Sequence, residues 1–174
     1  MLAQTIGDYE ILVGDDGSAD QETRQLLDRF QRAKTRVFRF PHRGLAATRN
    51  ALIAEAAGAY LCALDSDDIL CPDYFETALD VFRADPGLAF VSCQAEMFGD
   101  ETGRWPGTLR CDLPALLAED TVITAALVKR DAVLAVGGYD TAMPLQGDED
   151  WDLWISLLEA GGRDNYAWIH IPVG

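Results

Sequence analysis

The sequence lacks the signatures of several common chemistries. Its two histidines, His42 and His170, have no partner at metal-ligand spacing, and its four cysteines form no C-x-x-C pair or zinc spacing. It contains no G-x-x-x-x-G-K-[ST], G-x-G-x-x-G, G-x-S-x-G or H-E-x-x-H motif. We find no signal-peptide pattern and no apolar run of membrane-spanning length in these residues. These patterns disfavour a zinc site, a P-loop, a serine hydrolase site and a membrane-spanning segment.

Basic side chains are scarce beyond residue 50. Residues 1–50 hold 8 basic and 7 acidic side chains, whereas residues 51–174 hold 6 basic and 22 acidic ones, and the net charge is -15. Such a field repels nucleic acid and anionic membrane surfaces, so we expect no nucleic-acid partner. A phosphate-bearing substrate would need a metal ion or local arginines.

The length of 174 residues and a hydrophobic content of 49% predict a single globular domain with a sizeable core. Cys62 and Cys93 lie in apolar, strand-like runs, which indicates reduced core thiols and favours a cytoplasmic location.

Strand-like and helix-like segments alternate through the first half of the chain. Strands are predicted at 9–13, 37–40, 59–64 and 88–93, with helices between them. This order predicts an α/β protein in which helices cover both faces of a mostly parallel central sheet, a three-layer α/β/α arrangement. Residues 94–124 are predicted as a long loop with one short helix, followed by strands at 124–129 and 166–171 and helices at 130–136 and 149–160.

Two of the predicted strands end in acidic residues: Asp15 and Asp16 follow the first, and Asp65, Asp67 and Asp68 follow the third. Parallel strands place both clusters at the same edge of the sheet, where ligands bind in open α/β folds. Clustered carboxylates suit Mg²⁺ or Mn²⁺, which often bridge to phosphates. The alternatives are a solvated acidic turn for the second cluster and an Asx-turn with a helix cap for the first.

A third acidic group, Asp148-Glu149-Asp150, begins a Trp-rich helix. The group either caps this helix or supplies a general base that faces the cleft. Trp151 is either a core residue or a platform for a sugar. Arg49 lies on the helix between the two acid-tipped strands, where it could clamp a carboxylate or phosphate, although an exposed helix arginine is the alternative.

These strings together resemble the family 2 glycosyltransferases of GT-A fold. The resemblance lies in Tyr-Glu-Ile-Leu-Val-Gly-Asp-Asp-Gly-Ser at 9–18, Arg-Gly-Leu-Ala-Ala-Thr-Arg-Asn at 43–50, the strand and D-x-D motif at 58–68, Gly-Gly-Tyr-Asp at 137–140, and Glu-Asp at 149–150. It implies a Rossmann-like nucleotide-diphospho-sugar transferase fold. It also implies inverting transfer of a sugar from a UDP- or GDP-linked donor to an acceptor hydroxyl, in polysaccharide or glycoconjugate synthesis.

The resemblance also implies roles for individual residues. Asp67 would ligate Mn²⁺ or Mg²⁺, Asp150 would be the catalytic base, Asp16 would contact the nucleobase, and Asp65 would contact the ribose or Arg49. The remaining expected site residues are, for the nucleotide sugar, Asp15, Arg49 and Ser66, and for the acceptor side, Gly138, Tyr139, Glu149 and Trp151.

The same resemblance predicts how the chain is organised. We expect one catalytic domain over 1–174, with a nucleotide-sugar-binding half at 1–93 and an acceptor-side half at 94–174. Family members begin with a strand that we do not find, and they continue beyond residue 171, so we expect a truncated form. The edges left unpaired would favour a homo-oligomer.

Two other functions are weighed against this one. The chain could be a truncated module that binds a nucleotide sugar or a partner without turnover, or it could be a sugar nucleotidyltransferase. The expected location is cytoplasmic, with peripheral association at the inner face of the membrane as the alternative.

Overall fold

The structure is a computed structural model that describes residues 2–100, 102–105, 112–143, 147–161 and 166–169. Its strands are β1 Ile11–Asp15, β2 Thr35–Arg39, β3 Tyr60–Cys62, β4 Phe90–Cys93, β5 Ala95–Met97, β6 Gly103–Trp105, β7 Leu127–Lys129 and β8 Tyr166–Ile169. Its helices are α1 Gln21–Asp28, α2 Leu45–Glu55, α3 Tyr74–Ala84, α4 Leu113–Leu116, α5 Arg130–Val136 and α6 Glu149–Gly161.

The main sheet has the strand order β3-β7-β4-β8. β7 is antiparallel to both of its neighbours, while β4 and β8 are parallel, so three of the four strands run in one direction. β1 and β2 form a separate parallel pair. The mostly parallel sheet predicted from the alternation of strands and helices is therefore confirmed, with β7 as the reversed strand.

Helices cover both faces of the main sheet. On one face, the ring of Phe82 in α3 lies 4.7 Å from the ring of Tyr60 in β3. On the other face, the ring of Trp154 in α6 lies 5.1 Å from that of Phe90 in β4. The pairing of Tyr60 with Lys129 and of Val91 with Leu127 puts Tyr60 and Val91 on the same face, and Phe90, next to Val91, therefore points the opposite way. This is the predicted three-layer arrangement.

Helix α2 joins the two sheets. It packs so closely on β1 that a Cβ atom at Gly14 would lie 2.9 Å from Leu52 Cδ1, which explains why a glycine stands in the strand. Ile53 of the same helix packs against the core of the larger sheet. Among the residues that the structure describes, no strand pairs with the second edge of β1 or with the second edge of β3.

The segment before β1 is held down by a buried glutamine that the sequence analysis did not single out. The side chain of Gln4 donates to the Cys71 carbonyl at 2.6 Å and accepts from the Phe75 backbone N–H at 3.2 Å. Thr5 adds a backbone hydrogen bond to the Pro72 carbonyl at 2.8 Å. These contacts fix the segment against the start of α3, directly after the second acidic cluster.

The largest correction to the predicted elements lies between β4 and β7. The loop predicted at 94–124 contains the hairpin β5–β6, whose strands are three residues each, as well as α4. Strands this short give too little alternation to be recognised in the sequence. The end of the predicted strand at 166–171 lies outside the described residues. No helix in the described part of the chain is long and apolar enough to cross a membrane.

Candidate active site

Arg49 on α2 connects the second acidic cluster to the third. One guanidinium nitrogen of Arg49 lies 2.9 Å from Asp65 Oδ1, and the other lies 3.7 Å from Glu149 Oε1. The guanidinium carbon also lies 5.4 Å from the centre of the Tyr139 ring. The Arg49 side chain is only 11% exposed. The prediction that Arg49 clamps a carboxylate is therefore confirmed, and the exposed alternative is wrong.

The next residue, Asn50, locks the Gly-Gly-Tyr turn that follows α5. Its side-chain amide donates to the Tyr139 carbonyl at 2.8 Å, and its oxygen accepts from the Tyr139 backbone N–H at 2.9 Å. Gly138 has a φ of +80°, and a Cβ atom there would lie 2.5 Å from Asn50 Oδ1. A glycine is therefore needed at 138 both for its backbone conformation and for the close approach of Asn50.

The first acidic cluster holds local structure together. Asp15 Oδ1 accepts from the Ser18 backbone N–H at 2.8 Å, and this hydrogen bond lowers the pKa of Asp15. Asp16 accepts from the backbone N–H groups of Arg43 at 2.9 Å and Gly44 at 3.0 Å, as well as from the Thr48 hydroxyl at 2.8 Å. Burial raises the pKa of Asp16, but these bonds outweigh it and the net pKa is lowered.

Asp16 thus fixes the first turn of α2, whose Gly44 offers no side-chain cap. The contact of Asp16 with a nucleobase stays a prediction. His42 is 79% exposed and lies 2.8 Å from Asp16 Oδ2.

The second acidic cluster is more open. Ser66, Asp67 and Asp68 are exposed beyond the end of β3, whereas Asp65 is held by Arg49. Burial, with the charges of Asp65 and Asp67 as the lesser causes, raises the pKa of Asp68. Within the described ranges, no three His, Cys, Asp or Glu side chains converge to hold a metal ion by themselves. One or two exposed carboxylates, such as those of Asp67 and Asp68, fit a divalent cation that takes its other ligands from substrate phosphates and water.

Two members of the third acidic group, Glu149 and Asp150, are buried at the start of α6. Glu149 is 5% exposed and Asp150 is 8% exposed. Glu149 Oε2 accepts from the Gly147 backbone N–H at 2.8 Å. Asp150 Oδ2 accepts from the Thr124 hydroxyl at 2.5 Å, and Asp150 Oδ1 accepts from the Trp151 backbone N–H at 3.0 Å. The indole N–H of Trp151 donates a hydrogen bond to the Leu116 carbonyl at 2.6 Å, which supports the interpretation of Trp151 as a core residue.

Tyr139 is also buried, with 6% of its surface exposed. Burial raises the pKa of Tyr139 to about 12, so the phenol stays neutral near pH 7. An open cleft lies next to Asp140 and Glu149, and its other walls are residues 43–47 at the start of α2, Thr141 and Met143.

Two site-side residues were missed in the sequence. Thr124 lies in a predicted strand, and Asp120 lies in a predicted loop. The pKa of Asp120 is raised to about 6, chiefly by burial and also by the charges of Asp150, Asp148 and Glu119, while a hydrogen bond from the Val122 N–H opposes the rise. No local motif marks either residue, because the contact of Thr124 with Asp150 and the charges of Asp150 and Asp148 near Asp120 arise only when α6 packs beside their loop.

Comparisons with known proteins identify the family. The family model described as Glycosyl transferase family 2 matches residues 1–134. The chain belongs to this family. It is 38% identical over 91 residues to a chondroitin synthase of Escherichia coli, a match that covers 52% of this chain and 13% of that protein.

Solved structures confirm the fold. The structure of residues 1–349 of TarS from S. aureus matches 96% of this chain and 51% of that chain, with a TM-score of 0.73 at 14% identity. The mannosyltransferase PcManGT from Pyrobaculum calidifontis, solved with GDP-Man and Mn²⁺, matches 98% of this chain and 51% of that chain, with a TM-score of 0.66 at 18% identity. The fold is therefore the predicted GT-A fold. The chain spans about half the length of these two solved chains and 13% of the chondroitin synthase.

The Asn50 lock can be tested by comparing two neighbouring glycines. Gly137→Ala and Gly138→Ala both place a side chain at a left-handed φ, which costs about 1–2 kcal/mol. Only Gly138→Ala also displaces Asn50 and weakens its two hydrogen bonds, each worth about 0.5–1.5 kcal/mol. We expect a larger loss of unfolding free energy for Gly138→Ala in urea titrations. Equal losses in the two variants would contradict the lock.

The half-buried carboxyl group of Asp120 should make stability depend on pH. A raised carboxyl pKa means that the folded chain binds more protons than the unfolded chain between about pH 4 and pH 6. The unfolding free energy therefore falls as pH rises through this window. Asp120→Asn keeps the acceptor for the Val122 N–H, so we expect it to be more stable than the wild type above pH 6. Urea titrations should show the two proteins converging toward pH 4; a difference independent of pH would refute this explanation.

Proposed function

We propose that the chain is the catalytic domain of an inverting glycosyltransferase, which transfers a sugar from a UDP- or GDP-linked donor to an acceptor hydroxyl with the help of a divalent metal. The observation that carries this proposal is the position of Arg49 between Asp65 and Glu149. It joins the acidic edge suited to a donor to the helix that carries Asp150. Family membership supports the reaction class, and the chondroitin synthase relative supports a role in polysaccharide synthesis.

On the donor side, we assign nucleotide-sugar binding to Asp15, Asp16, Arg49, Asp65 and Ser66. Asp15, Asp16 and Arg49 act largely by holding the binding edge in shape, since their side chains already bond to the protein. Ser66 is exposed and has room for a direct contact.

Asp67 is the proposed metal ligand, with Mn²⁺ or Mg²⁺ as the ion. Its side chain is exposed at the end of β3, and the solved mannosyltransferase of the same fold contains Mn²⁺. When bound, such an ion would neutralise the negative charge on the leaving diphosphate.

On the acceptor side, Asp150 is the proposed base. Its carboxylate accepts the proton of the acceptor hydroxyl, and the acceptor oxygen forms a bond to the anomeric carbon. The bond from that carbon to the diphosphate oxygen breaks, and the electron pair leaves with the diphosphate. A single displacement of this kind inverts the configuration. Gly138, Tyr139, Glu149 and Trp151 shape the acceptor side, with Gly138 and Tyr139 held in place by Asn50.

The proposal treats residues 1–93 as the nucleotide-sugar half and 94–174 as the acceptor half of one domain. The contacts of Arg49 and Asn50 across this division support a single unit. A cytoplasmic location, with or without peripheral membrane association, is part of the same proposal. The readings as a binding module without turnover and as a sugar nucleotidyltransferase remain the alternatives.

Calorimetric titration with UDP and GDP, each with and without Mn²⁺, tests the donor site. We expect binding to depend on Mn²⁺ and to be lost in Asp67→Ala, because the exposed carboxylate would share the ion with the diphosphate. Asp80→Ala, at an exposed position of α3, is the matched control and should bind like the wild type. Binding that is unchanged by Mn²⁺ or by Asp67→Ala would reject the metal site. Turnover assays for sugar transfer and for pyrophosphate release then separate the three readings.

The free edges of β1 and β3 predict self-association. Each edge presents unpaired N–H and carbonyl groups in the described part of the chain, and such edges pair readily with other strands. We expect sedimentation velocity to show an oligomer whose share grows with protein concentration. A single monomeric species across the concentration range would count against it.

A further inference from the structure

Thr124 makes the shortest polar contact to the proposed base. Its hydroxyl donates to Asp150 Oδ2 at 2.5 Å, while Asp150 Oδ1 accepts from the Trp151 backbone N–H at 3.0 Å. The two donors lie on different elements, the segment before β7 and the first turn of α6. Each carboxylate oxygen therefore has one fixed partner, and each keeps a second lone pair for another proton.

The backbone that carries Thr124 is itself fixed. Its neighbours Ile123 and Ala125 are buried, with 8% and 6% of their surface exposed. The Ala125 carbonyl accepts from the Tyr74 hydroxyl at 2.8 Å and from the Cys62 thiol at 3.3 Å. Thr124 is thus less buried than the residues on either side, and its hydroxyl projects from an anchored segment toward α6.

The surroundings make such an anchor necessary. Asp120, on the same segment, is close enough for its charge to interact with that of Asp150 and with that of Asp148, on the approach to α6. Like charges repel, so a carboxylate held only by its own helix would tend to rotate away from them. A charge-assisted hydrogen bond from a hydroxyl at this distance opposes that rotation.

We propose that Thr124 is a positioning residue that holds the carboxylate of Asp150 in the orientation needed to accept the proton of the acceptor hydroxyl. This inference rests on the proposed function, in which Asp150 is the base. Thr124 has no direct part in the displacement. It acts through Asp150, so a change at Thr124 should affect the rate of the chemical step. It should not affect donor binding at the acidic edge on the Asp65 side of Arg49.

The test compares Thr124→Val, which keeps the shape and removes the hydroxyl, with Thr124→Ser, which keeps the hydroxyl. Thr35→Val on β2 is the matched control, because it makes the same change far from α6. Sugar transfer is assayed at saturating Mn²⁺. A general base contributes on the order of 10²–10⁴ in rate, and we expect Thr124→Val to lose about 10- to 100-fold in kcat. The KM for the donor and the calorimetric binding of the nucleotide should not change, and Thr124→Ser should stay within about threefold of the wild type.

A double variant separates positioning from a general structural effect. In the Asp150→Asn background, where the base is already absent, Thr124→Val should have no further effect on the residual rate. Thermal unfolding is followed for all variants, and Thr124→Ser remains informative if Thr124→Val folds poorly.

Each outcome decides the matter. Suppose that the wild-type chain transfers sugar and that Thr124→Val has an unchanged kcat, or differs only by a higher KM. Either result overturns this inference alone. The same holds if Thr124→Val lowers the rate equally with and without Asp150. A wild-type chain that binds the donor but transfers no sugar overturns the proposed function and this inference with it.

Discussion

The site depends on the burial of one arginine charge. The Arg49 side chain is 11% exposed, and a guanidinium removed from water to this extent is tolerated only with well-placed acceptors. Those acceptors come from two distant segments, Asp65 after β3 and Glu149 at the start of α6. The requirement to satisfy a single cation therefore forces the donor edge and the acceptor helix into one arrangement, and the aromatic face of Tyr139 closes a third side.

Six acidic residues around the site fall into two groups with different roles. One group forms hydrogen bonds within the protein or contacts Arg49, and it stabilises the local structure: Asp15, Asp16, Asp65 and Glu149. Asp67 and Asp68 are exposed at the end of β3. The first acidic cluster thus fits the structural alternative, in which Asp15 stabilises a turn and Asp16 caps a helix. This structural role is compatible with a ligand site, because the hydrogen-bonded residues hold the sheet edge from which the exposed carboxylates project.

The sequence predicted those parts of the fold that local pattern encodes. The acid-tipped strands, the helix that carries Arg49 and the turn at 137–140 all show in periodicity, glycine placement or motif. The hairpin β5–β6 did not, because strands of three residues leave almost no pattern. The Asn50 lock, the Thr124 hydrogen bond and the raised pKa of Asp120 could not be found either. Each is a contact between segments that are far apart in the chain, and only packing brings the partners together.

The Asn50 lock also bears on the order in which the molecule is made. Its two partners are separated by 89 residues, so the chain must close a long loop before either hydrogen bond forms. During synthesis, the strands that carry both of the first acidic clusters leave the ribosome well before Tyr139 and Glu149 do. The arginine at the centre of the site is then without one of its acceptors until the acceptor half emerges. Assembly of the binding edge is consequently tied to completion of the chain, and a partly made polypeptide carries the donor motifs without the geometry that joins them.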